Sequence, residues 1–340
     1  MGGFRERCTA GDYTNGIMST QHAVVAGGAG FIGSHLVERL AAEGWKVTVL
    51  DSLVTGRREN LSAALQSDAV RLIEVDVSDP IDSAMGDIDA ADLVLNLASP
   101  ASPSDFLRIP LEILRTGSDG TRHMLELALR LGARFVQAST SEVYGDPEVH
   151  PQVETYLGNV DCIGPRSCYD EAKRYGEALT MAYHRVHRVN AAIVRIFNTY
   201  GPRMRPDDGR VISTFIDQAL RGDPVTVFGD GRQTRSYCYV DDQVSGLLAV
   251  AQSGHLGPFN IGMPTEHSVL EVAQLVVDLC KSSSAIVHLP IPPERTGDPR
   301  CRRPDITRVR ADCGWNPRVD LESGLRSMID EARQRRADGR

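Results

Sequence analysis

The chain has 340 residues, 41% of them hydrophobic and 24% charged, with 37 Lys plus Arg against 45 Asp plus Glu and a net charge of −8. That length accommodates one large or two smaller domains whose core needs neither disulfide nor structural metal, and the acidic balance excludes a nucleic-acid binder that works through a basic face. No apolar run approaches the roughly 18 residues of a membrane span, and the seven scattered cysteines form no C-x-x-C pair, so a reducing, cytoplasmic setting without a metal centre is expected.

Residues 1–20 are polar and Gly-rich and lack the apolar stretch of a signal peptide, so they read as a disordered leader. His22–Ala26 is a short apolar strand running into glycines. Phe31–Ala42 then reads as a helix, and Lys46–Leu50 as a second strand ending at Asp51. Further strands at 71–75, 92–97, 134–139 and 191–197 alternate with helical stretches, notably Phe106–Leu131 and Tyr169–Val186. This alternation predicts an α/β fold, a Rossmann-type doubly wound parallel sheet. After Gly201-Pro202 the elements shorten and loops rich in Gly, Pro and Asp appear at 205–210, 229–234 and 291–305. The expected organisation is an NAD-binding domain over 21–200, with 237–262 returning to it. A smaller substrate-binding region then spans 201–236 and 263–332, and a frayed tail 333–340. Surplus apolar residues on the two long helices (Ile113, Leu114, Leu125, Leu127, Leu129, Ala178, Met181 and Val186) predict a homodimer.

Gly27, Gly30 and Gly33 form a G-x-x-G-x-x-G turn directly after the first strand and at the start of the first helix. Glycines there let the backbone approach a pyrophosphate, and the helix N-terminus offers N–H donors and a favourable dipole. Phe31 and Ile32 lie within the same turn. Asp51 follows Gly30 by 21 positions at the end of the second strand, where a carboxylate accepts ribose hydroxyls and repels a 2′-phosphate, favouring NAD over NADP.

Tyr169 and Lys173 stand at i and i+4 on one helix face in a chain whose other lysines are Lys46 and Lys281. A lysine so placed is expected to lower the phenol's pKa and let it take a proton from a sugar hydroxyl while hydride leaves for NAD. Thr140-Ser141-Glu142 follows a strand, at the edge where α/β sheets place ligands. Thr140 is a candidate hydrogen-bond partner of the reacting hydroxyl, and Glu142 a candidate acid or base. His184 and His187 share helical spacing but lack an evident third ligand, which favours a solvated face over a metal site.

Several stretches together carry a family likeness. They are Gly27–Ser34, Asp51 with Thr55-Gly56-Arg57, Leu97–Pro103, Thr140–Pro147, His150-Pro151-Gln152, Gly164–Glu171, Arg195–Met204, Asp208–Val211, Gln233-Thr234-Arg235 and Arg303–Ile306. The chain resembles the extended short-chain dehydrogenases/reductases, and within them the UDP-glucuronate decarboxylases, or UDP-xylose synthases. The resemblance implies that Tyr169 is the base and Lys173 its partner, with Glu142 and Arg302 serving decarboxylation. It implies that Asn198, Arg210 and Arg235 hold UDP, with Arg115 and Ser141 also on the substrate. Ser52, Thr55, Gly56, Asp76, Val77, Leu97, Ser99, Thr199 and Arg205 would join the glycine turn and Asp51 around NAD. Asn96, Gly117, Leu157 and Cys162 depart from the family pattern. The implied reaction oxidises UDP-glucuronate at C4, loses CO₂ from the resulting β-keto acid, and returns the hydride. Thr140-Ser141-Glu142 lacks the Asp of a 4,6-dehydratase. A 4-epimerase has little use for Arg302, and a catalytically silent NAD-binding regulator has no need of Tyr169 and Lys173.

Overall fold

The computed structural model describes residues 21–80, 87–205, 209–291 and 299–337. The expected leader, the tips of two of the expected loops and the end of the tail lie outside the described residues. The first half comprises β1 (His22–Ala26), α1 (Phe31–Ala42), β2 (Lys46–Asp51), β3 (Val70–Glu74), β4 (Leu93–Asn96), α2 (Pro103–Arg108), α3 (Pro110–Arg115), α4 (Thr121–Leu131), β5 (Arg134–Thr140), α5 (Ser167–His187), β6 (Ala191–Ile196) and β7 (Thr199–Tyr200). The second half comprises α6 (Val211–Arg221), β8 (Val225–Phe228), β9 (Thr234–Ser236), β10 (Cys238–Tyr239), α7 (Val240–Ser253), β11 (Phe259–Ile261), β12 (Glu266–Ser268), α8 (Val269–Cys280), β13 (Ile286–Leu289), β14 (Cys301–Arg302), α9 (Thr307–Cys313) and α10 (Leu321–Ala337).

Seven strands form one parallel sheet in the order β11-β6-β5-β4-β1-β2-β3. Central strands are apolar throughout because both faces are covered. Ala23 and Val25 point into one apolar cluster with residues of α1, α6, α7, α8 and α10, whereas Val24 and Ala26 point into the other with residues of α4. The chain winds outward in opposite directions from β1 and β4, which opens a crevice at their carboxyl ends. The small pairings β7–β10, β8–β13 and β12-β9-β14 come mostly from the second half. Register on the β14–β9 pair sets Arg302 beside Arg235.

Two expectations about elements are corrected. Residues 106–131 are not one helix. Ile109 leaves the helical region (φ −139°, ψ 51°), Pro110 restarts the chain as α3, and a single π-helical turn over Thr116–Gly120 joins it to α4. Proline lacks the N–H an uninterrupted helix needs, but suits a first helical turn. The tail is ordered at least to Ala337, because α10 continues through it. Its Arg333 and Arg336 bond the Cys280 carbonyl and Asp217.

Candidate active site

A cleft of about 540 Å³ opens at the β1–β4 crevice, and residues from both halves of the chain line it. One end is built on the glycine turn. The fit is close: a Cβ on Gly33 would stand 2.1 Å from the Gly27 carbonyl oxygen. The start of α1, with no acidic residue in its first turn, therefore faces the cleft with its N–H groups open to an anion. Asp51, 8% exposed, closes this end. Its two carboxylate oxygens accept the Ala29 and Leu53 amides at 2.9 Å each, which fixes the side chain. Burial pushes its pKa up while those two amides pull it down.

At the other end, β5 delivers Thr140 to the cleft, and the Thr140 hydroxyl accepts the Glu142 amide at 3.3 Å to start a tight turn. Helix α5 brings Tyr169 and Lys173 opposite. Lys173 is 6% exposed; its Nζ donates to the Ala138 carbonyl at 2.9 Å and lies 5.7 Å from the Tyr169 ring centre. Phe106 of α2 stacks on the phenol, 5.0 Å between centres. Desolvation lowers the Lys173 pKa to about 8. Burial raises Tyr169 to about 12, against a hydrogen bond to Thr140 and the Arg210 charge that pull it down. In the protein's own field the desolvation of a deeply buried phenol outweighs these.

Glu142 is the electrostatic centre of this end. Its Oε2 accepts from Arg166 at 2.7 Å and from Arg302 at 3.0 Å. Desolvation alone raises a buried carboxyl, but the charges of Arg302, Arg166 and Arg235 outweigh it and hold Glu142 at about 2. A group so held stays ionised at neutral pH, so it accepts hydrogen bonds and does not release a proton. Asp170, next to Tyr169, goes the other way: desolvation and the Glu142 charge raise it to about 7.

Nearly every residue expected at the site lies on this one cleft. Ser52, Thr55, Gly56, Asp76, Val77, Leu97, Ser99 and Thr199 line the glycine-turn end. Ser141, Asn198, Arg205, Arg210 and Arg235 line the remainder. Two are placed elsewhere. Arg115 pairs with Asp79 across a half-exposed surface, whereas Glu112 and Thr116 face the cleft from that segment. Arg302 is 1% exposed and stands behind Glu142, where it also donates to the Ser141 carbonyl. Sequence reasoning assigned no role to Arg166 or Phe106, although Arg166 stands in the Gly164–Glu171 stretch that carries the likeness. The departure at Gly117 has a packing reason: a Cβ there would meet the Ala172 Cβ at 2.5 Å, between Tyr169 and Lys173 on α5. Among the described residues no cluster of His, Cys, Asp or Glu is arranged to hold a metal ion.

Residues 23–262 match the NAD dependent epimerase/dehydratase family. UDP-glucuronic acid decarboxylase 2 of Arabidopsis thaliana is 49% identical over 312 residues, which covers 92% of this chain and 68% of that protein. The crystal structure of UDP-glucose 4-epimerase from Thermotoga maritima with UDP-glucose superposes with a TM-score of 0.84 at 31% identity, covering 92% of this chain and 99% of that one. UDP-glucuronic acid 4-epimerase from Bacillus cereus, in complex with UDP-glucuronic acid and NAD, superposes with a TM-score of 0.82 at 27% identity over the same shares. With a parallel sheet, a glycine turn closed on itself and a buried Tyr-Lys pair on one cleft, the chain belongs to the NAD dependent epimerase/dehydratase family.

Proposed function

We propose that this protein is an NAD-dependent UDP-glucuronate decarboxylase that forms UDP-xylose by way of a 4-keto intermediate. The observation that carries the reading is an ionised Glu142, clamped by two arginines, on the same cleft as Tyr169 and Lys173, in a chain 49% identical to a UDP-glucuronic acid decarboxylase. The glycine turn and Asp51 suit a dinucleotide: the turn admits nothing larger than hydrogen at Gly33, and the carboxylate is fixed where a ribose is gripped. In this reading residues 21–200 and 237–262 bind NAD, while 201–236 and 263–332 hold the UDP-sugar, with Arg210 and Arg235 as forks for the diphosphate.

When bound, NAD supplies the hydride acceptor, the later hydride donor and a cationic ring beside the phenol. Tyr169, held by its stack on Phe106, takes the proton of the C4 hydroxyl. Lys173, anchored on Ala138, keeps positive charge under the phenolate. The oxidised sugar is a β-keto acid at C5, and loss of CO₂ requires stabilisation of the developing enolate. Arg302 and Arg166 supply fixed positive charge at that end, and Glu142 orients the group between them. C5 then takes a proton from solvent water, and Tyr169 returns its own proton to the C4 oxygen as the sugar is reduced again.

The reading extends to assembly and location. Leu107, Leu111, Tyr175 and Val186 are 64%, 75%, 47% and 72% exposed along α2, α3 and α5. We assign this face to a homodimer; a monomer by light scattering at micromolar concentration contradicts it. Of the residues that first suggested a dimer, Ile113, Leu125 and Leu127 are instead buried within the chain. No described helix is long and apolar enough to cross a membrane, and the described cysteines are all free thiols, which suits the cytoplasm. Mass spectrometry of the product from UDP-glucuronate tests the function. Loss of CO₂ supports it, whereas an isomer of unchanged mass indicates a 4-epimerase and loss of water a dehydratase.

A further inference from the structure

Arg166 joins the two chemical ends of the cleft. Its backbone carbonyl accepts the amides of Tyr169 at 3.0 Å and Asp170 at 3.1 Å, which starts the helix that carries the proposed base. Its guanidinium donates to Glu142 at 2.7 Å and lies 5.5 Å from the centre of the Phe106 ring, the same ring that stacks on Tyr169. Arg166 therefore touches the support of Tyr169 and the partner of Arg302 at once. The trio of Arg166, Glu142 and Arg302 carries two positive charges and one negative. An arginine fork holds a carboxylate in one orientation better than any other side chain. With Arg235, whose charge also acts on Glu142, set against Asp170, 4.0 Å from Arg166, the cluster keeps a net positive charge, which suits an acidic sugar better than a neutral one.

We propose that Arg166 is a positioning residue for the decarboxylation step: it holds Glu142 in register with Tyr169 and biases the cleft toward a sugar that bears a carboxylate. The inference rests on the decarboxylase reading above. The charged groups that face Glu142 are Arg166 from the segment before α5, Asp170 and Tyr169 on α5, Arg235 on β9 and Arg302 on β14. Because Arg166 pairs with both Glu142 and Asp170 and lowers the pKa of each, its removal raises both and moves the acid limb of the pH–rate profile to higher pH.

The test uses the full chain with NAD and three proteins: wild type, Arg166→Gln and Arg166→Lys. For Arg166→Gln, kcat/KM on UDP-glucuronate is expected to fall at least tenfold. Its acid limb should move up in pH, and its Kd for UDP should stay within twofold. Arg166→Lys keeps the charge and loses the fork, so it should keep the acid limb and lose only a few-fold in kcat/KM. The inference is overturned if kcat/KM of Arg166→Gln stays within twofold, if its acid limb does not move, or if UDP affinity falls in parallel. Should Arg166→Gln not fold, Arg166→Lys decides alone: a displaced acid limb or a loss beyond a hundredfold overturns the inference. A wild type that releases no CO₂ from UDP-glucuronate overturns the decarboxylase reading itself, which an unaffected Arg166→Gln in an active background does not.

Discussion

Arg302→Met removes the largest side chain of the fully buried interior and the charge behind Glu142. The wild-type guanidinium, 1% exposed, donates to the Ser141 carbonyl at 2.5 Å and to Glu142 Oε2 at 3.0 Å. Removing one member of a buried ion pair destabilises by roughly 3–5 kcal/mol when the other charge is stranded. Here Glu142 keeps Arg166 at 2.7 Å and is itself 20% exposed at the side chain, so the lower end applies, about 3 kcal/mol. At about 2 °C per kcal/mol for a large domain, the melting temperature falls by roughly 6 °C. Loss of one preorganised charge beside a developing enolate slows the step it serves by roughly 10²–10³. Hydride transfer at C4 precedes that step, so Arg302→Met should still accumulate enzyme-bound NADH while CO₂ release collapses. Rapid-mixing absorbance with parallel trapping of labelled CO₂ reads both. A variant that is folded at the assay temperature and releases CO₂ at the wild-type rate refutes the assignment of Arg302.

Tyr169→Phe removes the proposed base and should slow turnover by roughly 10²–10⁴ with no transient NADH, read in the same rapid-mixing experiment. Asp170→Asn should stabilise the protein in alkaline but not in acid solution. The folded-state pKa, about 7 against an unfolded 3.8, means that no penalty exists below the unfolded value and that the full penalty stands above the folded one. Denaturant unfolding at pH 8 should therefore show a gain of roughly 1–4 kcal/mol that is absent at pH 3, whereas an equal effect at both assigns the change to packing. Gly117→Asn forces a Cβ to within 2.5 Å of the Ala172 Cβ, and should destabilise by roughly 1–3 kcal/mol while lowering kcat. Unchanged melting and turnover would show that α5 shifts freely.

The helices and strands around the dinucleotide end were legible because their signals are local. His22–Ala26 and Phe31–Ala42 have in the structure the bounds read from the apolar run, the glycine turn and the helical period. The Tyr169–Lys173 spacing likewise needs nothing beyond i, i+4 geometry to share a face. What escaped depends on burial or on interrupted helices. Nothing local distinguishes Tyr169 on a wet surface from Tyr169 under Phe106, so the desolvation of its phenol has no signal in the sequence. Pro110 was a visible break signal within 106–131, but the π turn after it has no such marker, and neither shows that Arg115 pairs with Asp79 rather than facing the cleft. Arg166 and Arg302 are 136 positions apart and converge on one carboxylate oxygen only through the pairing of β14 with β9 and the start of α5.

The central claim is an internal redox cycle, in which hydride is borrowed from C4 and returned. Purified protein supplied with UDP-glucuronate and a trace of NAD should release CO₂ for many turnovers per NAD, yield UDP-xylose, and show no lasting rise in NADH absorbance. NADH formed in an amount equal to the CO₂ released contradicts the cycle and makes the protein a plain oxidative decarboxylase.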